Sequence, residues 1–224
     1  MHLPISDKIE LNILHQNSHQ AEENKVQFNN YNLLCLNIMS SPGAGKTRFL
    51  EITLKDLSKE FQAAVLEGDM TTNLDAERLE KLNIPVVPIT TGRACHLDAN
   101  MVSGGLKILE QKINPDLLDI LLVENVGNLV CPAEFEIGEH FKVALLSITE
   151  GEDKPLKYPI MFREADLILI TKVDLLPHLN FDINELKSNI ASTNPKAEVI
   201  EISSVTRTGF DLWQKWINKK IQKF

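Results

Sequence analysis

The chain has 224 residues, three cysteines and a formal net charge of −8 at pH 7, and 43% of its residues are hydrophobic. The negative charge argues against a nucleic-acid partner, because phosphate backbones favour basic surfaces, and three scattered cysteines are too few for a disulfide framework. No apolar run approaches the roughly 20 residues of a membrane span and the N-terminus lacks signal-peptide organisation, so we expect one large cytoplasmic α/β domain with no membrane partner.

Residues 1–30 are polar and rich in Asn, Gln, His and Glu. A weakly amphipathic stretch, Ile5 to Leu14, predicts a short helix, and we expect the rest to be a partly mobile lead-in to a main domain at residues 31–224. Solvated histidines are the favoured interpretation here and a weak metal site is the alternative, because no cysteine accompanies them. The three histidines concerned are His2, His15 and His19.

The segment from Leu33 to Leu50 reads LLCLNIMSSPGAGKTRFL, an apolar run followed by a small-residue loop and a helical pattern. This order and the G-x-x-x-x-G-K-[ST] spacing predict a phosphate-binding P-loop, with Ser40 at the first glycine position. A glycine turn that binds nothing is the alternative. We expect an exposed lysine that reaches the β and γ phosphates and a threonine hydroxyl that binds Mg²⁺. The predicted binding residues are Ser41, Gly43, Ala44, Gly45, Lys46, Thr47 and Arg48.

Two further predicted strands end in carboxylates. Residues 63–66 lead to Asp69, a candidate Mg²⁺ ligand or orienter of the attacking water, with a turn role as the alternative. Residues 119–124 end at Glu124, and Gly127 follows as in the Walker B and γ-phosphate-sensing loop of P-loop GTPases. The predicted catalytic residues are therefore Lys46, Asp69 and Glu124.

Two loops at the same predicted sheet edge carry thiols. Cys95 and His96 follow the strand predicted at residues 85–89, and Cys131 lies just past the Glu124 loop. Thiolate and imidazole are ligands that Zn²⁺ and Ni²⁺ prefer, although an adjacent Cys-His pair alone could be structural. We predict one metal site that responds to the nucleotide. Because adjacent side chains can point in divergent directions, its ligands could be shared across a dimer interface.

A late strand, residues 165–170, delivers Thr171-Lys172-Val173-Asp174. The N-K-x-D motif of G proteins occupies this place, and here Thr171 stands where that motif has asparagine. We expect Asp174 to accept hydrogen bonds from the guanine N1–H and exocyclic amine, a donor pair that adenine lacks, while the Lys172 stem packs along the base. Ser203, after the last predicted strand, is expected to back the guanine.

The alternation of strands and helices predicts an α/β fold, a doubly wound, mostly parallel sheet of about seven strands with helices on both faces. The nucleotide is expected at the carboxyl edge of this sheet. Phosphate release with and without small acceptors would separate a GTPase from two other functions that the residues leave open: a metal carrier with only regulatory nucleotide binding, and a P-loop small-molecule kinase.

Six segments together resemble the HypB family of hydrogenase and urease nickel-incorporation GTPases: SSPGAGKT (40–47), EGD (67–69), TGRACHLDANM (91–101), ENVGNLVCPAEF (124–135), SITEGEDKPLKYP (147–159) and TKVDLLPHLNFD (171–182). The resemblance covers nearly everything after residue 31. It implies a Mg²⁺-dependent GTPase that converts GTP to GDP, with Ni²⁺ or Zn²⁺ at Cys95, His96 and Cys131. It also implies a homodimer promoted by GTP or metal, a small nickel-chaperone partner and a hydrogenase large-subunit precursor as client.

Overall fold

The computed structural model describes residues 5–71 and 74–224, and it describes side chains from residue 14 onward. Seven strands form one sheet in the order β3-β2-β4-β1-β5-β6-β7, and every neighbouring pair is parallel. The predicted doubly wound sheet is thus confirmed. The strands are β1 (Leu34–Ser40), β2 (Ala63–Asp69), β3 (Val86–Thr90), β4 (Ile120–Glu124), β5 (Phe141–Ser147), β6 (Leu167–Thr171) and β7 (Glu198–Ile202).

Helices cover both faces of the sheet. They are α1 (Ile5–Asn30), α2 (Lys46–Leu57), α3 (Leu74–Glu80), α4 (Ala99–Lys112), α5 (Cys131–Glu134), α6 (Lys154–Lys157), α7 (Pro159–Glu164), α8 (Ile183–Thr193) and α9 (Phe210–Ile221). Short 3-10 turns lie at Pro115–Leu117, Ile148–Glu150 and Val173–His178. Within residues 5–71 and 74–224, no helix is both long enough and apolar enough to span a membrane.

The central strand β1 shows how the two faces are built. Leu34, Leu36 and Ile38 pack into the cluster formed with α2, α3 and α9, whereas Cys35 packs into the cluster with α1 and α4. Successive side chains of a strand point to opposite faces, so a strand covered on both sides is mostly apolar, and in β1 only Asn37 and Ser40 are polar. This requirement explains the continuous apolar runs in the sequence.

Helix α1 is longer than predicted. The sequence analysis expected a short helix and a mobile lead-in, and the structure has one helix from Ile5 to Asn30. Phe28 is fully buried in the cluster with α4. Asn24 is also buried and donates hydrogen bonds to Ala99 O (2.8 Å) and Ile137 O (3.0 Å). Tertiary packing therefore stabilises a helix whose own apolar pattern is weak.

Strand β5 ends earlier than predicted. The segment FKVALLSIT (141–149) predicts a strand over its whole length, but β5 stops at Ser147 and a 3-10 turn, Ile148–Glu150, follows. The Ser147 hydroxyl accepts a hydrogen bond from Thr149 N, and the Glu150 carboxylate accepts one from Ser147 N. This capping box satisfies the backbone of the turn and ends the strand.

Candidate nucleotide site and metal centre

The loop between β1 and α2 has the geometry of an anion cradle. Gly43 has φ 77° and Gly45 has φ 98°, left-handed conformations that glycine adopts without strain. Gly45 immediately precedes α2, a helix of twelve residues. Backbone N–H groups and the positive end of the helix dipole therefore meet at the loop, as phosphate binding requires.

Lys46 is buried, and the expectation of an exposed lysine was wrong. Its side chain lies under the loop at the start of α2, and the residue is only 9% exposed. Lys46 Nζ donates a hydrogen bond to Ser40 Oγ at 2.9 Å, and Ser40 Oγ donates to Ser41 O at 2.6 Å. The serine at the first glycine position therefore holds the lysine. Burial lowers the pKa of Lys46, against the opposing effect of the Glu124 carboxylate.

Two buried carboxylates face this lysine. Glu67 of β2 pairs with Glu124 of β4 in the sheet register, and each residue is 3% exposed. Burial raises the pKa of Glu67 to about 8, with the Glu124 charge adding to the shift. Burial also raises the pKa of Glu124 to about 7, although Lys46 and a hydrogen bond from Thr47 oppose it. Glu67 is not among the site residues predicted from the sequence, and the available signal was a charged residue directly after the apolar run of residues 63–66.

These acids fit a divalent cation. Thr47 Oγ1 donates to Glu124 Oε1 at 2.9 Å. The second oxygens of both glutamates, Oε2 in each, are buried and have no hydrogen-bond partner among the residues that the structure describes. Buried oxygens of this kind normally have a partner, and hard cations such as Mg²⁺ prefer carboxylate and hydroxyl oxygen.

Asp69 lies where the sequence analysis placed it, at the end of β2 and in the same cavity. Its carboxylate accepts a hydrogen bond from Met70 N, so the alternative turn role is also present. The cavity has a volume of about 430 Å³. Its lining includes Gly43, Gly45, Lys46, Thr47, Arg48, Glu67, Asp69, Glu124 and Gly127. Predicted P-loop residues and the predicted catalytic acids are thereby brought together.

Gly127 allows the loop after β4 to lie against the P-loop. A Cβ at this position would lie 3.1 Å from both Pro42 Cα and Pro42 N. Any larger residue would push the two loops apart, because real Cβ contacts are rarely so short. The predicted γ-phosphate-sensing loop is therefore in direct contact with the phosphate loop.

The loop after β6, which is predicted to recognise the base, braces the P-loop. Thr171 Oγ1 donates to Ala44 O at 2.8 Å, and Lys172 Nζ donates to Gly43 O at 2.7 Å. Thr171 thus supplies a tie from the position where the G-protein motif has asparagine. Asp174 Oδ1 accepts a hydrogen bond from Ser203 Oγ at 2.5 Å, so the loop after β7 joins the same arrangement.

Cys95, His96 and Cys131 converge within one chain. Their potential ligand atoms all lie within 4.8 Å of one another, and in the described part of the chain this is the only such group of three found. Cys95 Sγ lies 2.9 Å from Cys131 Sγ and 3.8 Å from His96 Nδ1. Adjacent side chains can diverge, but Cys95 and His96 do not, because the loop after β3 turns both side chains toward the same point.

The His96 ring is packed against Phe135. The two rings are tilted by 31° with a centroid separation of 4.0 Å, and burial lowers the pKa of His96. A neutral imidazole is the form that coordinates a metal. By contrast, His15 and His19 are exposed on α1, and His2 lies outside the described residues. Three protein ligands leave a four-coordinate ion with one open position.

The strand order and the loop at the end of β1 define a P-loop nucleotide-binding protein, beside a cluster of potential metal ligands. Residues 34–201 match the family described as CobW/HypB/UreG, nucleotide-binding domain, and the chain belongs to this family. The match covers six strands completely and β7 except for its last residue, Ile202.

Relatives within the family are HypB proteins, which confirms the predicted resemblance. The chain is 47% identical over 213 residues to hydrogenase maturation factor HypB of Azotobacter vinelandii, covering 95% of this chain and 69% of that protein. It is 37% identical to the probable hydrogenase maturation factor HypB of Methanocaldococcus jannaschii, covering 100% of this chain and 99% of that protein. The crystal structure of HypB from Helicobacter pylori in complex with nickel matches with a TM-score of 0.89 at 39% identity, covering 93% of this chain and 96% of that chain.

Proposed function

We propose that this protein is a GTP-hydrolysing metallochaperone that couples GTP binding and hydrolysis to nickel delivery during maturation of a [NiFe]-hydrogenase. The observation that carries this proposal is the convergence of Cys95, His96 and Cys131 beside the nucleotide cavity. The loop that leads to Cys131 lines this cavity through Val126 and Gly127. Thr91 N, in the loop that bears Cys95, donates to Asp69 O at 2.8 Å. The names of the maturation-factor relatives and the nickel complex of the Helicobacter pylori protein support the choice of metal and client.

GTP is the proposed substrate, and hydrolysis depends on positioning and charge. The loop amides and Lys46 neutralise the phosphates, while Asp69 or the Glu124 loop orders the attacking water. The water oxygen bonds to the γ-phosphorus as the bond to the GDP oxygen breaks, so that phosphate and GDP leave. Thr47 and Asp69 would hold Mg²⁺ together with the unpartnered oxygens of Glu67 and Glu124, and the ion would offset the charge of the β and γ phosphates.

Selectivity for guanine is assigned to the loop after β6. Asp174 presents acceptors to the guanine N1–H and exocyclic amine, and adenine offers no such pair. Its geometry is supported by the hydrogen bond from Ser203. Lys172, tied to the P-loop backbone at Gly43, would pack along the base.

The metal is cargo rather than a fixed structural ion. A closed site of four protein ligands retains its metal, whereas three ligands leave a position through which the ion can pass to an acceptor. We propose that a second copy of this chain or a small nickel-chaperone partner approaches that position. A hydrogenase large-subunit precursor is the proposed client, and the cytoplasm is the proposed compartment, since its reducing conditions keep the two thiols available.

The metal site is tested by titrating Ni²⁺ and Zn²⁺ into the parent, Cys95→Ala and Cys131→Ala, each with GDP and with a non-hydrolysable GTP analogue. Both variants should lose the tight site, and parent affinity should differ between the nucleotides. Cys35→Ala is the matched control, because Cys35 is fully buried in β1 and lies outside the cluster. Equal affinity in all four proteins would refute the site.

Hydrolysis is tested by phosphate release under GTP and ATP, with and without small acceptors. A GTPase releases phosphate to water from GTP without an acceptor, whereas a kinase needs the acceptor. Sedimentation in GDP and in the GTP analogue, with and without Ni²⁺, tests the proposed homodimer. A protein that binds metal but never hydrolyses GTP would be a carrier with regulatory nucleotide binding.

A further inference from the structure

Asn125 is a fully buried polar residue that the hydrolysis scheme does not use. It directly follows Glu124, the partner of Thr47, at the carboxyl end of β4. Its backbone N–H donates to Ile38 O in the neighbouring strand β1 at 3.0 Å. The start of the loop after β4 is therefore held against the sheet, and the backbone that carries the Asn125 side chain is fixed in place.

The Asn125 side chain joins three segments of the chain. Its amide donates to Asn37 Oδ1 in β1 at 3.2 Å. Its carbonyl oxygen accepts from Val126 N at 3.0 Å and from Leu97 N at 2.9 Å. Leu97 is the residue after His96, so a backbone group beside a metal ligand depends on this side chain.

Asn128, in the same loop, holds the other side of the metal ligands. Its amide donates to Cys95 O at 3.3 Å, and its carbonyl oxygen accepts from Val130 N at 2.9 Å. The two asparagines thus hydrogen-bond to the backbone on either side of His96. Their own loop continues directly to Cys131, the third potential ligand.

This short segment, residues 124–128, also contacts the phosphate side of the site. Glu124 accepts from Thr47, and Gly127 lies against Pro42 of the P-loop. Buried amides that lose their partners are costly, so the Cys95–Leu97 backbone must follow this segment when it moves or lose its hydrogen bonds. Contacts of this kind are a physical route for coupling two sites.

We propose that Asn125 and Asn128 are positioning residues that transmit the state of the nucleotide to the metal ligands. They act on the metal ligands through the backbone of Cys95 and Leu97, and Asn125 also lines the nucleotide cavity. The inference rests on the proposed function, in which metal affinity depends on the nucleotide. A purely structural role for these asparagines would alter stability but leave that dependence unchanged.

The experiment measures Ni²⁺ affinity of the full chain by competition with a chromophoric chelator, in GDP and in a non-hydrolysable GTP analogue. The readout is the ratio of the two affinities, expected to differ from one by about fivefold or more in the parent. Asn125→Ala and Asn128→Ala should each move the ratio toward one by about threefold or more. In Asn128→Ala, whose side chain does not line the nucleotide cavity, GDP affinity without metal should stay near that of the parent.

Asn194→Ala is the matched control. Asn194 is also buried, and its amide donates to Phe162 O, Arg163 O and Ala165 O, remote from both sites. This variant should melt earlier than the parent and keep the parent ratio. Asn128 is less buried than Asn125, so Asn128→Ala decides the question if Asn125→Ala does not fold.

Three outcomes overturn the inference. Parent-like ratios in the folded asparagine variants would show that coupling runs elsewhere, and the proposed function would stand. A ratio that also falls in Asn194→Ala would trace the effect to general loss of stability. A parent ratio of one would refute the nucleotide dependence itself, and this inference with it.

Discussion

Asp174→Asn tests how the protein selects its base. In the structure, Asp174 Oδ1 accepts a hydrogen bond from Ser203 Oγ at 2.5 Å. The Ser203 oxygen in turn accepts from Val205 N and Thr206 N, each at 3.1 Å. The serine hydrogen is therefore directed at the carboxylate, which is held in one orientation. A base that presents two donors can bind such a carboxylate without reorganising the loop.

The magnitude follows from the hydrogen bonds that the substitution changes. Two hydrogen bonds from guanine to a charged carboxylate contribute about 1.5–3 kcal/mol each. Asparagine keeps one acceptor, which can remain with Ser203, and turns a donor toward the guanine N1–H. We therefore expect a loss of about 3 kcal/mol for GDP, or roughly 150-fold in affinity. Xanthine carries a carbonyl where guanine has its amine, so the affinity for XDP should rise.

Competition of GDP, XDP and ADP against a fluorescent GDP measures this selectivity in the parent and in Asp174→Asn. Ser203→Ala is the control, because it removes the hydroxyl that orients the carboxylate and keeps the carboxylate itself. This variant should weaken GDP binding by about tenfold or less and preserve the preference for guanine. If Asp174→Asn keeps the parent preference for GDP over ADP and gains nothing for XDP, the base is recognised elsewhere.

Three further predictions concern single positions. Lys46→Ala should lower GTP hydrolysis by about 100-fold or more and remain folded, and phosphate release at the parent rate would contradict the P-loop assignment. Gly209→Ala should lose about 2–4 kcal/mol in chemical denaturation, because φ is +75° and the new Cβ would lie 1.9 Å from Glu201 O. Gly104→Ala, in an open part of α4, is its control and should gain about 0.5–1 kcal/mol. Burial lowers the pKa of His140 from 6.5 to about 4. Between these two pH values the unfolded chain therefore binds a proton at His140 that the folded chain does not bind. The free energy of unfolding should be highest above pH 6.5 and should fall by about 1–2 kcal/mol toward pH 4, a magnitude reduced because the ring is partly exposed. A His140→Gln variant with the same pH slope would contradict this.

The phosphate loop could be identified from the sequence because its determinants are contiguous. Glycines at fixed offsets, a lysine and a threonine lie between one strand and one helix, and each acts through its own backbone conformation or its place on α2. The same holds for Thr171, Lys172 and Asp174 after β6. Continuous apolar runs likewise predicted strands covered on both faces, since that pattern depends only on neighbouring residues.

Other features depended on contacts between distant parts of the chain. Glu67 faces Glu124 only because β2 pairs with β4, and Thr171 reaches Ala44 across 127 positions. Helix α1 extends to Asn30 because Asn24 finds carbonyl partners far along the chain.

The metal centre shows the same division. The sequence predicted Cys95, His96 and Cys131 as thiol and imidazole ligands from residue type and position. Only the tertiary structure decided that one chain brings their ligand atoms within 4.8 Å of one another. Direction and burial of a side chain follow from strand register and loop packing, which local sequence does not encode. The chemical type of each candidate ligand could therefore be predicted from the sequence, whereas the distances between the ligand atoms were set by the fold.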